Sequence, residues 1–183
     1  SGELLPSNIL SANAYLGAEP IVDALTQEAD VVITGRVADS SLFLAPLVHE
    51  HGWSPDDWTR RARGAVAGHL LECAGQVTGG YFVDPTFKDV PELARLGFPI
   101  GEVDAEGAIT VTKLDGTGGC VSVATCTEQL LYEMHDPSAY VTPDVCVDIT
   151  EATVAELAPD RVRVEGVAGR ERPSQLKVSV GHT

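Results

Sequence analysis

The sequence predicts an α/β fold, a parallel or mixed sheet with flanking helices, followed by a β-rich C-terminal part. Three observations predict it. The run Asp30-Val31-Val32-Ile33-Thr34 is β-branched, ends at Gly35 and has the unbroken apolar character of a strand buried on both faces. Helical patterns lie before and after that run, which gives the strand–loop–helix rhythm of an α/β protein. Beyond Pro137 the helical patterns stop, and short strand-like runs separated by turn residues take over. The chain therefore divides into an α/β part, 1–136, and a β-rich part, 137–183.

Each element has its own signal. Asn8 to Ala14 is a loop or short strand. Glu19-Pro20 starts a short helix, with proline where its missing N–H costs nothing. The strand Ala29–Gly35 follows, then a helix from Ser40 or Ser41 to His51, closed by Gly52. Ser54-Pro55-Asp56-Asp57 reads as the start of a long helix, capped by Ser54, with a break at Gly64 and an end at Gly75. Asp89-Val90-Pro91-Glu92 opens another short helix that ends by Gly97. Glu102-Val103 and Ala108–Lys113 form a hairpin, and a helix runs from about Val121 to His135. Val145–Ile149, Thr153–Leu157, Arg161–Glu165 and Leu176–Val180 are strands.

Composition narrows the function. The 183 residues carry 27 acids against 12 Lys and Arg, a formal charge of -15. Such a chain repels phosphate backbones and anionic lipid, so neither nucleic acid nor membrane is expected as a partner. From Leu114 to Asp160 there are nine acids and no Lys or Arg, a solvated acidic face or a docking surface for a basic subunit. Cys73, Cys120, Cys126 and Cys146 match no zinc spacing and read as reduced thiols of a cytoplasmic protein. The chain starts at Ser1 and its single methionine is Met134, as expected of a processed chain or of a portion of a larger domain.

Four strings carry candidate chemistry. Gly35-Arg36-Val37-Ala38-Asp39-Ser40-Ser41 sits at a strand end, where α/β folds bind ligands. Arg36 can hold a carboxylate, Ser40 can bind substrate, and Asp39 can serve as a general base. His69, Glu72 and Cys73 stand at i, i+3 and i+4, so they share one helix face as an acid/base pair beside a thiol. H-x-x-E without a second histidine-rich string is a weak metal signal, and no metal is expected. Gln76 and Thr78 offer neutral hydrogen bonds to a substrate. Gly116-Thr117-Gly118-Gly119 before a helix offers converging N–H groups for a phosphate, a carboxylate or a coenzyme A pyrophosphate. No G-x-S-x-G elbow is present, so a serine hydrolase is disfavoured.

Six strings together resemble one family. They are Ser11–Ala18, Asp30–Asp39, Gly68–Cys73, Gln76–Phe82, Gly116–Gly119, and Glu128–Glu133 leading to His135-Asp136-Pro137. In order and spacing they resemble the acyclic terpene utilisation (AtuA-like) family, long catalogued as a domain of unknown function. The resemblance implies a bacterial cytoplasmic protein of acyclic terpene catabolism and brings no catalytic residue set with it. The leading expectation is an enzyme acting on a small carboxylic acid or acyl-CoA-type substrate, by lyase, hydratase or hydrolase chemistry. No cofactor is required, and a coenzyme A thioester is compatible. The alternative is a non-catalytic subunit or assembly module, working as a homo-oligomer or beside a partner subunit.

Overall fold

The computed structural model describes residues 7–183. Four helices and nine strands are assigned among them, α1 Glu19–Thr26, α2 Ser41–His51, α3 Trp58–Leu71 and α4 Val123–Leu131, with β1 Ile9–Ala14, β2 Pro99–Val103, β3 Ile109–Lys113, β4 Tyr140–Val141, β5 Cys146–Asp148, β6 Thr153–Ala158, β7 Arg161–Glu165, β8 Ala168–Arg170 and β9 Val178–His182. The strands form three antiparallel sheets, of order β1-β9, β2-β3-β7-β6 and β4-β5-β8. No described helix is long and apolar enough to cross a membrane.

The content is mixed α/β as expected, but the parallel sheet is not formed. Among the described residues parallel pairing is confined to single bridges, Leu16 with Val37 and Leu96 with Gly118. The run Ala29–Gly35 is not a strand, and Val31 and Ile33 are 78% and 93% exposed. Its β-branched composition expresses a local preference for extended backbone, whereas a strand needs a neighbour, and none lies beside it among the described residues.

Helix α3 organises the core. Its Ala62, Ala65, Val66, Ala67 and Leu70 pack with Ile109 and Val111 of β3, Val147 of β5, Val162 and Val164 of β7, and Cys126 and Leu130 of α4. Small residues along α3 let sheets and helices approach closely, and burying a side chain such as Leu70 contributes about 2 kcal/mol. A second cluster joins α1 and α2 through Ile21, Leu44, Val48 and Trp53. The start of α3 differs from expectation. Asp57, not Ser54, is its cap, accepting from the Arg60 N–H at 3.0 Å, and that bond holds the Asp57 carboxyl below its usual range. The helix runs through Gly64 unbroken. The stretch from Asp89 to Gly97 holds only a 3-10 turn, Leu93–Arg95.

Two buried charges tie the layers together. Arg61, buried in the middle of the fold, pairs with Glu19 of α1 at 2.7 Å and donates to the Ser54 carbonyl at 3.2 Å. Asp144, on the turn between β4 and β5, accepts from the Ala18 N–H at 2.7 Å and from the Ser41 hydroxyl at 2.5 Å. One carboxylate thus serves the N-terminal ends of α1 and α2, where partial positive charge favours it.

Candidate functional site

The site starts from a close approach. Gly68 lies in the interior of α3, where glycine weakens a helix. A Cβ there would stand 2.5 Å from the Ser40 carbonyl oxygen and 2.8 Å from its Cα. Glycine therefore lets the loop Arg36–Ser40 lie directly on α3, one residue from His69. Ser40 is buried in that contact, and its carbonyl takes the Leu44 N–H that starts α2. Asp39 and Arg36, both exposed, line an open cleft of about 390 Å³ together with Asn13, Thr34 and Leu42.

The charge of Asp39 acts on Cys73 and on Tyr140, as do those of Glu72 and Glu133. Burial first, and those carboxylates next, push the Tyr140 hydroxyl up to about 12. Cys73 is likewise raised, by burial most of all and with the Gln129 amide working against it. The shift runs opposite to the lowering that activates a thiolate nucleophile.

His69 is 1% exposed, with its ring 5.3 Å from that of Tyr140. Its Nδ1 lies 3.3 Å from Glu72 Oε1, close but too far off axis for a hydrogen bond, and neither ring nitrogen has a hydrogen-bond partner. Gln129 of α4 donates its amide to the His69 carbonyl at 2.9 Å, which leaves its own carbonyl oxygen unpartnered in the interior. Buried polar atoms without partners cost about 1–3 kcal/mol each. Both His69 ring nitrogens and the oxygen of the Gln129 amide bonded to its backbone make this a polar centre within the core. Among the described residues no group of three His, Cys, Asp or Glu is placed to hold a metal ion.

The structure therefore brings Asp39, His69, Glu72 and Cys73 into one region, with Arg36 and Ser40 beside it. Thr78 and the glycine string are taken up by the fold itself, while Gln76 stays close, its N–H donating to the Cys73 carbonyl at 3.1 Å. Thr78 is buried and donates to the carbonyls of Gly75 and Gly97, at 3.1 and 2.6 Å. Gln76 belongs to a 3-10 turn that follows α3. The glycine string is no anion cradle. The N–H groups of Thr117, Gly118, Gly119 and Cys120 donate to the carbonyls of Leu114, Arg95, Pro91 and Thr78. A Cβ on Gly118 or Gly119 would strike the backbone of Glu92 or Thr78. Gly116 turns the chain at positive φ and lends its carbonyl to Arg95. Helix α4 starts later, capped by Ser122. The four residues Gly116, Thr117, Gly118 and Gly119 are thus a packing device whose donors are spent inside the protein.

Gln129 and Tyr140 had no local signal as site residues. Gln129 sits in an ordinary helical pattern, and Tyr140 follows Pro137 in the β-rich part. Only their long-range contacts with α3 reveal them.

A family model described as "Acyclic terpene utilisation family protein AtuA" matches residues 3–183. No curated protein and no solved structure matches the chain.

Proposed function

The chain belongs to the acyclic terpene utilisation family, and from that premise we propose that it is an enzyme of acyclic terpene utilisation acting on a small acyl substrate. Arg36 receives the substrate's anionic group, the carboxylate of a terpenoid acid or a phosphate of its coenzyme A thioester. Leu42 offers apolar surface to the hydrocarbon. Asp39, with the His69/Glu72 pair, moves protons, and Tyr140, held protonated, donates a hydrogen bond to developing negative charge. Cys73 is a neutral wall of the site, not the nucleophile. One observation carries this reading. The loop that carries Arg36 and Asp39 along the cleft rests on α3 at Gly68, one residue from His69, which supports an anion held by Arg36 beside the acid/base centre.

Calorimetric titration of the full chain with geranate, a branched acyclic acid, tests the binding half. Arg36→Gln should weaken it about 10- to 100-fold, the worth of one charge-assisted hydrogen bond. Asp39→Asn and Glu72→Gln should leave binding within a few-fold and abolish turnover of the corresponding thioester. Geranate affinity indifferent to Arg36, or turnover that survives both carboxamide changes, would sink the reading.

A second reading, an assembly module, is supported by the exposed Val31 and Ile33 on a strand-like segment without a neighbour. Another chain could add a strand there and cover them. If so, Ile33→Asp should shift the protein to a smaller species in light scattering with its melting temperature unchanged. An unchanged particle mass rejects this role for the segment.

A further inference from the structure

Three neighbouring positions, Arg36 of the cleft and the residues just past the paired ends of β1 and β9, form a row. The Tyr15 N–H donates to the Lys177 carbonyl at 2.9 Å, and the Leu16 N–H to the Arg36 carbonyl at 3.3 Å, beside the parallel bridge from Leu16 to Val37. Lys177, Tyr15 and Arg36 therefore lie side by side across three extended segments. Their side chains meet as well. The Lys177 ammonium lies 5.1 Å from the centre of the Tyr15 ring and the Arg36 guanidinium 5.2 Å from it. The next rung brings Asn13 opposite Ser179, whose hydroxyl reaches the Tyr15 hydroxyl at 3.4 Å.

Seven of the chain's twelve Lys and Arg residues are matched to carboxylates, and Arg36 and Lys177 are two of the five that pair with none among the described residues. The two cations flank one aromatic ring, and each is attracted to it. The ring also fixes both long side chains, so less rotamer freedom is lost when a ligand arrives. A single carboxylate needs one of these cations. A phosphate group, with about -1.5 to -2 charge at neutral pH and three acceptor oxygens, uses both and can take the Asn13 and Ser179 side chains too.

We propose that Lys177, Tyr15 and Arg36 form a two-cation site for a phosphate group, and hence that the acyl substrate arrives on a phosphate-bearing carrier of the coenzyme A type. The proposal rests on the reading of Arg36 as the anion-holding residue and adds Lys177, an exposed residue that the sequence did not single out. The phosphate chemistry has two sources, free phosphate and the carrier, and the test separates them.

The full chain is titrated with inorganic phosphate, coenzyme A, dephospho-coenzyme A and geranate, as wild type and as Lys177→Met, Lys177→Arg and Arg36→Gln. Phosphate-bearing probes should bind and lose affinity at least tenfold in Lys177→Met, with Lys177→Arg close to wild type. Geranate should lose less than threefold in Lys177→Met. Their affinity should also fall steeply with added salt. Coenzyme A binding tighter than both dephospho-coenzyme A and inorganic phosphate identifies the carrier's terminal phosphate as the bound group. Inorganic phosphate as tight as coenzyme A overturns the carrier. Geranate binding without any phosphate binding, or phosphate affinity untouched by Lys177→Met, overturns the two-cation site and leaves the Arg36 reading standing. Failure of every probe removes both.

Discussion

Asp144→Ala should destabilise the fold by about 3 kcal/mol, at the lower end of what removing one partner from a buried charged network costs. The carboxylate is 1% exposed, and both groups it serves, the Ala18 N–H and the Ser41 hydroxyl, belong to fully buried residues. Alanine leaves those two donors without acceptors at the ends of α1 and α2 and removes the negative charge that complements both helix dipoles. Gly17 packs against the same carboxylate, so no side chain is at hand to fill the gap. In a domain of this size the melting temperature should drop by roughly 6–12 °C. Urea unfolding should show a lower midpoint at constant slope, the mark of lost stability without a changed denatured state. Asp144→Asn keeps one carbonyl acceptor and should lose about half as much. A change below 1 kcal/mol for Asp144→Ala would show that Ala18 and Ser41 find other partners.

The same substitution should reach the site. Ser41 begins α2, directly after the Arg36–Ser40 loop. Freed from Asp144, that loop loses its tie to the β4–β5 turn, and binding of an anionic ligand at Arg36 should weaken beyond what the fraction unfolded explains.

Asp144 also shows where sequence reasoning stops. Its partners are 126 and 103 residues away, and the sequence presents it only as one acid among nine between Leu114 and Asp160. Local chemistry was legible. Pro20 and Gly52 bracketed the first two helices, and the β2–β3 hairpin was correctly anticipated. The helical spacing of His69 and Glu72 placed them together. What failed was pairing. Val31-Val32-Ile33 has every local property of a buried strand, yet burial is decided by what lies alongside. Gly116–Gly119 has the composition of an anion loop, but the N–H groups of Gly118 and Gly119 were claimed by distant carbonyls, at Arg95 and Pro91. Neither outcome is written in the segment itself. The contacts of Tyr140 with His69 and of Lys177 with Tyr15 were illegible for the same reason, since each joins residues far apart in the chain.

Gly68→Ala gives the most direct test of how the site is assembled. On helix propensity alone alanine should stabilise α3 by about 1 kcal/mol. The added Cβ would meet the Ser40 carbonyl oxygen at 2.5 Å and its Cα at 2.8 Å, which are backbone atoms with no rotamer to change. Overpacking of that kind costs about 1–3 kcal/mol, so the net effect on stability should be a loss of about 1 kcal/mol. The effect on binding should be larger. The loop must lift off α3, carrying Arg36 and Asp39 away from His69, Glu72 and Cys73, and affinity for an acyl ligand should fall at least tenfold, or about 1.4 kcal/mol. Gly64→Ala supplies the control. It sits one turn earlier on the same helix, and its Cβ would meet side-chain ends, Leu44 at 2.6 Å and Trp53 at 2.9 Å. Those can shift, so Gly64→Ala should lose a comparable amount of stability and leave ligand affinity unchanged. If the two variants lower affinity equally, the close approach at Gly68 does not position the site. If Gly68→Ala alone lowers it, a missing Cβ on α3 is what joins the anion-holding cleft to the acid/base centre.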